Sequence, residues 1–179
     1  MARILSGGRV TTSFFLAGVM QGSRRGIDAA DQSYRLLLRR MIERLHPSAV
    51  VHDPHELVLQ RYGDRVTEIR GALAAIADAP VIVRERLDPE VLELLDVFHE
   101  MARLASASDI CVVWLPGHEP SMGTAAEMYG AFQAGRTVVT ITEMRYNVAV
   151  LSCSTVILPD LAAFSDWLAK DGDSLCTTS

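Results

Sequence analysis

Residues 109–135 read DICVVWLPGHEPSMGTAAEMYGAFQAG. Asp109 to Leu115 is a short, nearly continuous apolar run, the pattern of a strand buried on both faces. Pro116 to Pro120 makes a turn. A helix is expected roughly from Ser121 to Ala134, with Ser121 placed to cap it and Gly135 to close it as the C′ residue.

The same alternation extends in both directions. Upstream, Thr12 to Gly18 (TSFFLAG) reads as a buried strand ending in glycine. Beyond a glycine-rich loop, Asp28 or Asp31 can cap a helix whose stripe is Ala30, Tyr34, Leu37, Leu38, Met41 and Leu45, with Pro47 past its end. Ala49 to His52 is a second short strand, stopped by Asp53-Pro54. A helix is expected over about 64–78, and Pro80 to Val83 reads as an edge strand or a loop. Pro89 suits the start of a helix buried along Val91, Leu94, Leu95, Phe98, Met101, Ala102 and Ala105. Downstream come strands at Thr137 to Thr142 and Thr155 to Leu158, and a closing helix from Leu161 to Lys170. Such alternation implies one α/β domain of the Rossmann/flavodoxin-like kind, a parallel sheet with helices on both faces. Residues 1–11 read as a loose terminus and 56–88 as an insert or lid. Ligands of such sheets sit at the carboxyl ends of the strands. That places the loop 18–26, the segment after His52 and the loop 116–121 along one rim.

Composition narrows the function. The 179 residues are 49% hydrophobic and 22% charged, which fits a folded domain and excludes a disordered chain. The formal charge of -5 and the absence of a basic stripe argue against a nucleic-acid partner. The apolar run Phe14 to Met20 is too short to span a membrane, and no signal peptide is read. Three scattered cysteines, Cys111, Cys153 and Cys176, point to a reducing, cytoplasmic setting rather than a disulfide frame.

Three stretches carry chemistry. Gly18-Val19-Met20-Gln21-Gly22-Ser23-Arg24-Arg25-Gly26 offers backbone N–H groups and guanidinium forks to an anion, although an exposed turn with solvated arginines has the same composition. Ser121 to Met128 places Ser121 and the N–H groups of a helix start beside Glu127. The helical neighbours of Glu127 are Gly123, Thr124, Gly130 and Ala131, all small and none cationic, so a ring has room beside its carboxylate. An ordinary helix-forming glutamate is the plainer alternative. Asp96 and Glu100 share a helix face and are candidates for a general acid, or else for a solvated acidic face. His52 and His55 invite a metal reading, but no further ligands accompany them. Neither metal nor cofactor is expected. No Gly-x-Ser-x-Gly occurs, which disfavours a hydrolase triad.

Taken together, Phe15-Leu16-Ala17-Gly18 with its Gly/Ser/Arg loop, the Ser-x-Gly-x-x-x-Glu pattern of Ser121 to Glu127, and Gly135-Arg136-Thr137-Val138-Val139 resemble the nucleoside 2-deoxyribosyltransferase-like superfamily. The resemblance covers about 12–158 with a gap at 56–88. It is nearest to the branch of (deoxy)nucleoside 5′-monophosphate N-glycosidases and CMP hydrolases. It implies that Glu127 is the nucleophile at the anomeric carbon of the sugar. It implies that Ser121, Gly22, Ser23 and Arg24 or Arg25 hold a 5′-phosphate, and that Phe15 lies beside the base or sugar. Gly18, His52 and Gly123 complete the expected substrate rim. Asn147 resembles a polar residue lent by a neighbouring subunit, so a homodimer or higher homo-oligomer is implied. The chain departs from the pattern eight residues before Asp109, where Met101 stands in place of the usual aspartate. Glu100 or Asp96 is then expected to protonate the leaving base. Base exchange by a deoxyribosyltransferase, a non-catalytic nucleotide-binding module, and a scaffold with unrelated ligands are the competing readings.

Overall fold

The computed structural model describes residues 11–22 and 30–170. Five parallel strands form one sheet in the order β2-β1-β3-β4-β5, with β1 Ser13–Gly18, β2 Val50–His52, β3 Ile110–Leu115, β4 Thr137–Thr142 and β5 Val156–Leu158. The helices are α1 Ser33–Leu45, α2 Pro54–Tyr62, α3 Val66–Ile76, α4 Pro89–Ala107, α5 Met122–Gln133, α6 Val148–Cys153 and α7 Leu161–Lys170. The expected α/β parallel sheet with helices on both faces is therefore present.

Alternation along β1 explains why its sequence is apolar throughout. Phe14 and Leu16 pack with Leu38 and Ile42 of α1 and with Phe164 and Leu168 of α7. Phe15 and Ala17 point the other way, to Val97, Met101 and Ala105 of α4 and Met128 and Ala131 of α5. The middle of β1, Phe14 to Ala17, thus feeds two cores and is apolar on both faces. A reciprocal clamp sets the lower ends of β1 and β3. The Ser13 amide and hydroxyl donate to Asp109 Oδ2 at 2.8 and 2.7 Å, and the Asp109 amide donates to Ser13 Oγ at 3.0 Å.

Helix ends follow local chemistry. Ser121 caps α5, its Oγ accepting from the Thr124 amide at 3.3 Å. At the other end Gly135 takes φ +69°. The Gly135 amide donates to Phe132 O and the Arg136 amide to Ala131 O, the paired bonds of a Schellman stop.

Several expectations change. α1 begins at Ser33, not next to Asp28 or Asp31; Asp31 instead accepts from the Ser33 amide and hydroxyl just before the helix. Asp28 lies outside the described residues, as do 1–10. Leu37 is exposed, while Arg35 and Ile42 are buried with Leu38. On α4, Val97 is buried and Phe98 remains 40% exposed. After β2, Asp53 Oδ1 accepts from the His55 amide and Pro54 supplies the first residue of α2, so a helix follows the strand directly. Region 56–88 contains helices α2 and α3, whose Tyr62 and Ile69 join the core under α4. Val81 to Val83 pairs with no strand among the described residues and is exposed. The short helix α6, capped by Asn147, has no counterpart in the sequence reading.

Candidate functional site

Strand order 2-1-3-4-5 reverses between β1 and β3, and the crevice at their carboxyl ends is where such sheets bind ligands. Gly18 and Trp114 are the paired residues at that end. On its other side β1 outruns its neighbour, because β2 stops at His52, opposite Phe15. Thr12 O accepts from the Val50 amide, so the carbonyls of Leu16 and Gly18, alternate residues along the strand, also point toward β2. Pro54 has no N–H to offer the Leu16 carbonyl. Arg35 takes over. Its Nη1 donates to Leu16 O at 2.8 Å and to Asp53 Oδ1 at 3.2 Å, its Nη2 to Gly18 O at 3.2 Å, and its Nε to Gln32 Oε1 at 2.7 Å. The Arg35 side chain is 3% exposed and that of Asp53 5%, so this is a buried ion pair.

Tyr34 lies beside Arg35. Its ring stacks on Trp114 with centroids 6.0 Å apart, and it is pressed so closely on Gly18 that a β-carbon there would collide with the phenol. Among the described residues its buried hydroxyl has no hydrogen-bond partner. Burial pushes its pKa up to about 12, so the phenol is neutral. The same loop is drawn in by Gln32, whose side-chain amide donates to Val19 O and Ala30 O.

Glu127 projects from α5 and is 5% exposed. Among the described residues no hydrogen bond reaches its carboxyl group. Burial lifts its pKa to about 8, with the Arg35 guanidinium pulling in the other direction. Glu127 is therefore a neutral acid at pH 7 in the unliganded protein, close to the point of ionising. At the start of the same helix, Ser121 Oγ accepts from the Thr124 amide and from Thr124 Oγ1 at 2.8 Å, which leaves its own O–H to donate. Cys111, on β3, feels the Glu127 charge as well. Burial pushes its thiol far above the usual range, so it is inert.

Gly18 ends β1, Ser121 caps α5 and Gly123 lies in the first turn of that helix. Gly22 has φ +59°, where a side chain would be strained and would meet Glu119 and Val19. Ser23, Arg24 and Arg25 lie outside the described residues. His52 closes β2 half-buried, its pKa lowered by burial and by Arg39, so it adds no charge to the rim.

Phe15 is corrected: it is 0% exposed within the apolar core and offers no face to a ligand, because odd residues of β1 turn toward α4 and α5. Asp96 and Glu100 are not brought to Glu127. The face of α4 that meets α5 carries Phe98, Ala102 and Ser106, which approach Gly123 and Gly130. Glu100 is two residues from both Phe98 and Ala102 and so points elsewhere. It accepts from Arg61 at 2.6 and 3.1 Å, which holds its carboxyl below the usual range and therefore ionised. The Asp96 side chain is 76% exposed, with Arg84 4.0 Å away. Met101, in the position of the expected aspartate, is sealed in the core. Asn147 is exposed, and its Oδ1 accepts from the amides of Ala149 and Val150. Among the described residues no cluster of three or more His, Cys, Asp or Glu could hold a metal, and no helix is long and apolar enough to cross a membrane.

Sequence reasoning does not single out Arg35, Asp53, Tyr34 or Trp114 for the site. Tyr34 reads from sequence as one more apolar position on a helical stripe. Arg35 gives no signal because two of its partners are backbone carbonyls of another element. The usable hint is the arginine one residue from that stripe, where burial demands a partner.

No protein-family model matches this sequence, and no curated protein does. Solved structures are similar in fold. One is the 2-deoxyribosyltransferase of the psychrotolerant bacterium Bacillus psychrosaccharolyticus, with a TM-score of 0.54 and 16% identity over 92% of this chain and 96% of that one. Another is a conserved protein from Enterococcus faecalis V583, with a TM-score of 0.43 and 20% identity over 90% of this chain and 87% of that one. Across nearly its whole length, the chain thus shares the α/β architecture of a 2-deoxyribosyltransferase.

Proposed function

We propose that the chain hydrolyses the N-glycosidic bond of a nucleoside 5′-monophosphate, releasing free base and sugar phosphate. The observation that carries this reading is a buried carboxyl group, Glu127, on the helix that Ser121 caps, beside the crevice between β1 and β3. The fold shared with a 2-deoxyribosyltransferase supports it. In this mechanism ionised Glu127 attacks C1′, the bond to the base nitrogen breaks, and a glycosyl ester forms. Water then attacks C1′, frees the Glu127 carboxylate and leaves the hydroxyl on the sugar, as in retaining glycosidases. Gly22, Ser121 and the loop residues Ser23, Arg24 and Arg25 would hold the phosphate. With Met101 apolar and Glu100 and Asp96 facing away, the departing base takes its proton from solvent rather than from α4.

Base exchange is the second reading, favoured by the same likeness of fold; here a second base replaces water. A chromatographic screen of common NMPs and dNMPs, with and without a foreign base, separates the two. Free base alone supports hydrolysis, a new nucleoside supports exchange, and nucleotide binding without turnover supports a non-catalytic module.

A homo-oligomer is part of the same proposal. Met122, Tyr129 and Phe132 on α5, and Tyr146, Val148 and Leu151 in and just before α6, are exposed apolar side chains, and Tyr146 and Val148 flank Asn147 in the chain. A second copy covering them would carry its Asn147 to a neighbouring site.

A further inference from the structure

Where α4 packs on α5, an open groove of about 370 Å³ is lined by His99, Ala102, Arg103, Ser106 and Gly130. None of these residues belongs to the crevice at the strand ends. We propose that this groove is a second ligand site, which takes a small phosphomonoester carrying hydroxyl groups, such as a sugar phosphate. The proposal does not rest on the role of Glu127.

The lining supplies that chemistry. His99 and Arg103 are one turn apart and share a face of α4, so an imidazole and a guanidinium border the same groove. Arg103 forms no ion pair among the described residues, and the nearby Glu100 carboxylate is held by Arg61 instead. A guanidinium fork of this kind suits a phosphate, which it can grip by two parallel hydrogen bonds. A second guanidinium reaches the same place, since Arg136 Nε donates to Ser106 O at 3.0 Å. Ser106 Oγ gives its proton to Ala102 O at 2.9 Å, so toward the groove it accepts, as a ligand hydroxyl requires. Gly130 keeps the floor open: a β-carbon there would stand 2.9 Å from Ser106 Oγ. Among the described residues no carboxylate lines the groove. The adjoining groove of about 270 Å³ across Arg103 differs in that respect, because Glu100 lines it with Leu104 and Ala107, and it suits no anion. The larger groove also has the volume of a small-molecule site.

The test is a titration of nitrogen-15-labelled protein with ribose 5-phosphate, inorganic phosphate and ribose, read at the backbone amides of Ala102, Ser106 and Gly130. Ribose 5-phosphate should shift them saturably with a Kd of about 1 mM or below. Inorganic phosphate should bind more weakly, and ribose should leave the signals in place. Arg103→Gln should weaken ribose 5-phosphate roughly tenfold, the worth of one charge-assisted contact. Gly130→Ala keeps the net charge and should weaken it several-fold by narrowing the groove. Arg40→Gln removes the same charge from an exposed position on α1 and should change nothing. Absence of a saturable shift at the three amides, undiminished binding by Arg103→Gln, or equal losses in Arg103→Gln and Arg40→Gln would each overturn the proposal. So would shifts confined to Gly18 and Ser121, which would put the sugar phosphate in the crevice alone. If Gly130→Ala fails to fold, the comparison of the two exposed arginines decides. Failure of the glycosidase reading looks different: no nucleotide yields base, while the titration still gives its answer.

Discussion

A carboxyl group at 5% exposure, lifted by burial to a pKa of about 8, makes the stability of the fold depend on pH through Glu127. Its folded pKa is raised above the ordinary glutamate value of 4.5. Its protonated form therefore contributes stability that is fully present below 4.5 and lost as pH climbs through 8. Glu127→Gln should match wild type in urea melts at pH 4 and exceed it at pH 9 by several kcal/mol, because each tenfold change in acidity is worth about 1.4 kcal/mol. Equal stability of the two at pH 9 would contradict the burial. Activity should run the other way, since only ionised Glu127 attacks, and kcat/KM should rise toward a limb near pH 8. Glu100→Gln and Asp96→Asn should keep activity within about threefold, because both carboxylates sit in exposed ion pairs. A loss of about a hundredfold or more in Glu100→Gln would restore it as the general acid. Glu127 is legible in the sequence because its helical neighbours are small and uncharged, an unusual setting for a surface glutamate. Phe15 is not, since a strand's alternation decides which face a side chain takes and the phase is set only by packing.

Among the elements, strands β1 and β3 and the Ser121-to-Gly135 helix are legible because their signals are local: continuous apolar runs, a capping serine, a stopping glycine. α2 is not, because Asp53-Pro54 opens a turn as readily as it caps a helix, and only tertiary packing of Tyr62 chooses the helix. α6 has six residues, too few for a periodic pattern. The junction of β1 with α1 depends on Gly18 lacking a β-carbon. Gly18→Ala would drive that carbon into the Tyr34 phenol. It should cost about 1–3 kcal/mol in urea unfolding, with loss of the Tyr34–Trp114 stacking seen in near-ultraviolet circular dichroism. An unchanged spectrum and midpoint would show that the aromatic pair does not rest on this glycine.

For the molecule as a whole, the sheet order places the reversal between β1 and β3, and the residues proposed for base release converge there. The apolar positions on α5 and α6 extend the account beyond one chain. If Asn147 serves a neighbour's site, Glu127→Ala and Asn147→Ala proteins should each be inactive. Mixing them after mild dissociation should restore part of the activity, since a mixed dimer carries one site with both residues intact. A monomer by light scattering, or no rescue from two folded variants, would confine the site to a single chain. The most direct test of the central claim is base release itself, with each common NMP and dNMP incubated with wild type and with folded Glu127→Ala and the products separated by chromatography. At least one nucleotide should yield free base with wild type and none above background with the variant. Undiminished release by Glu127→Ala would contradict the account.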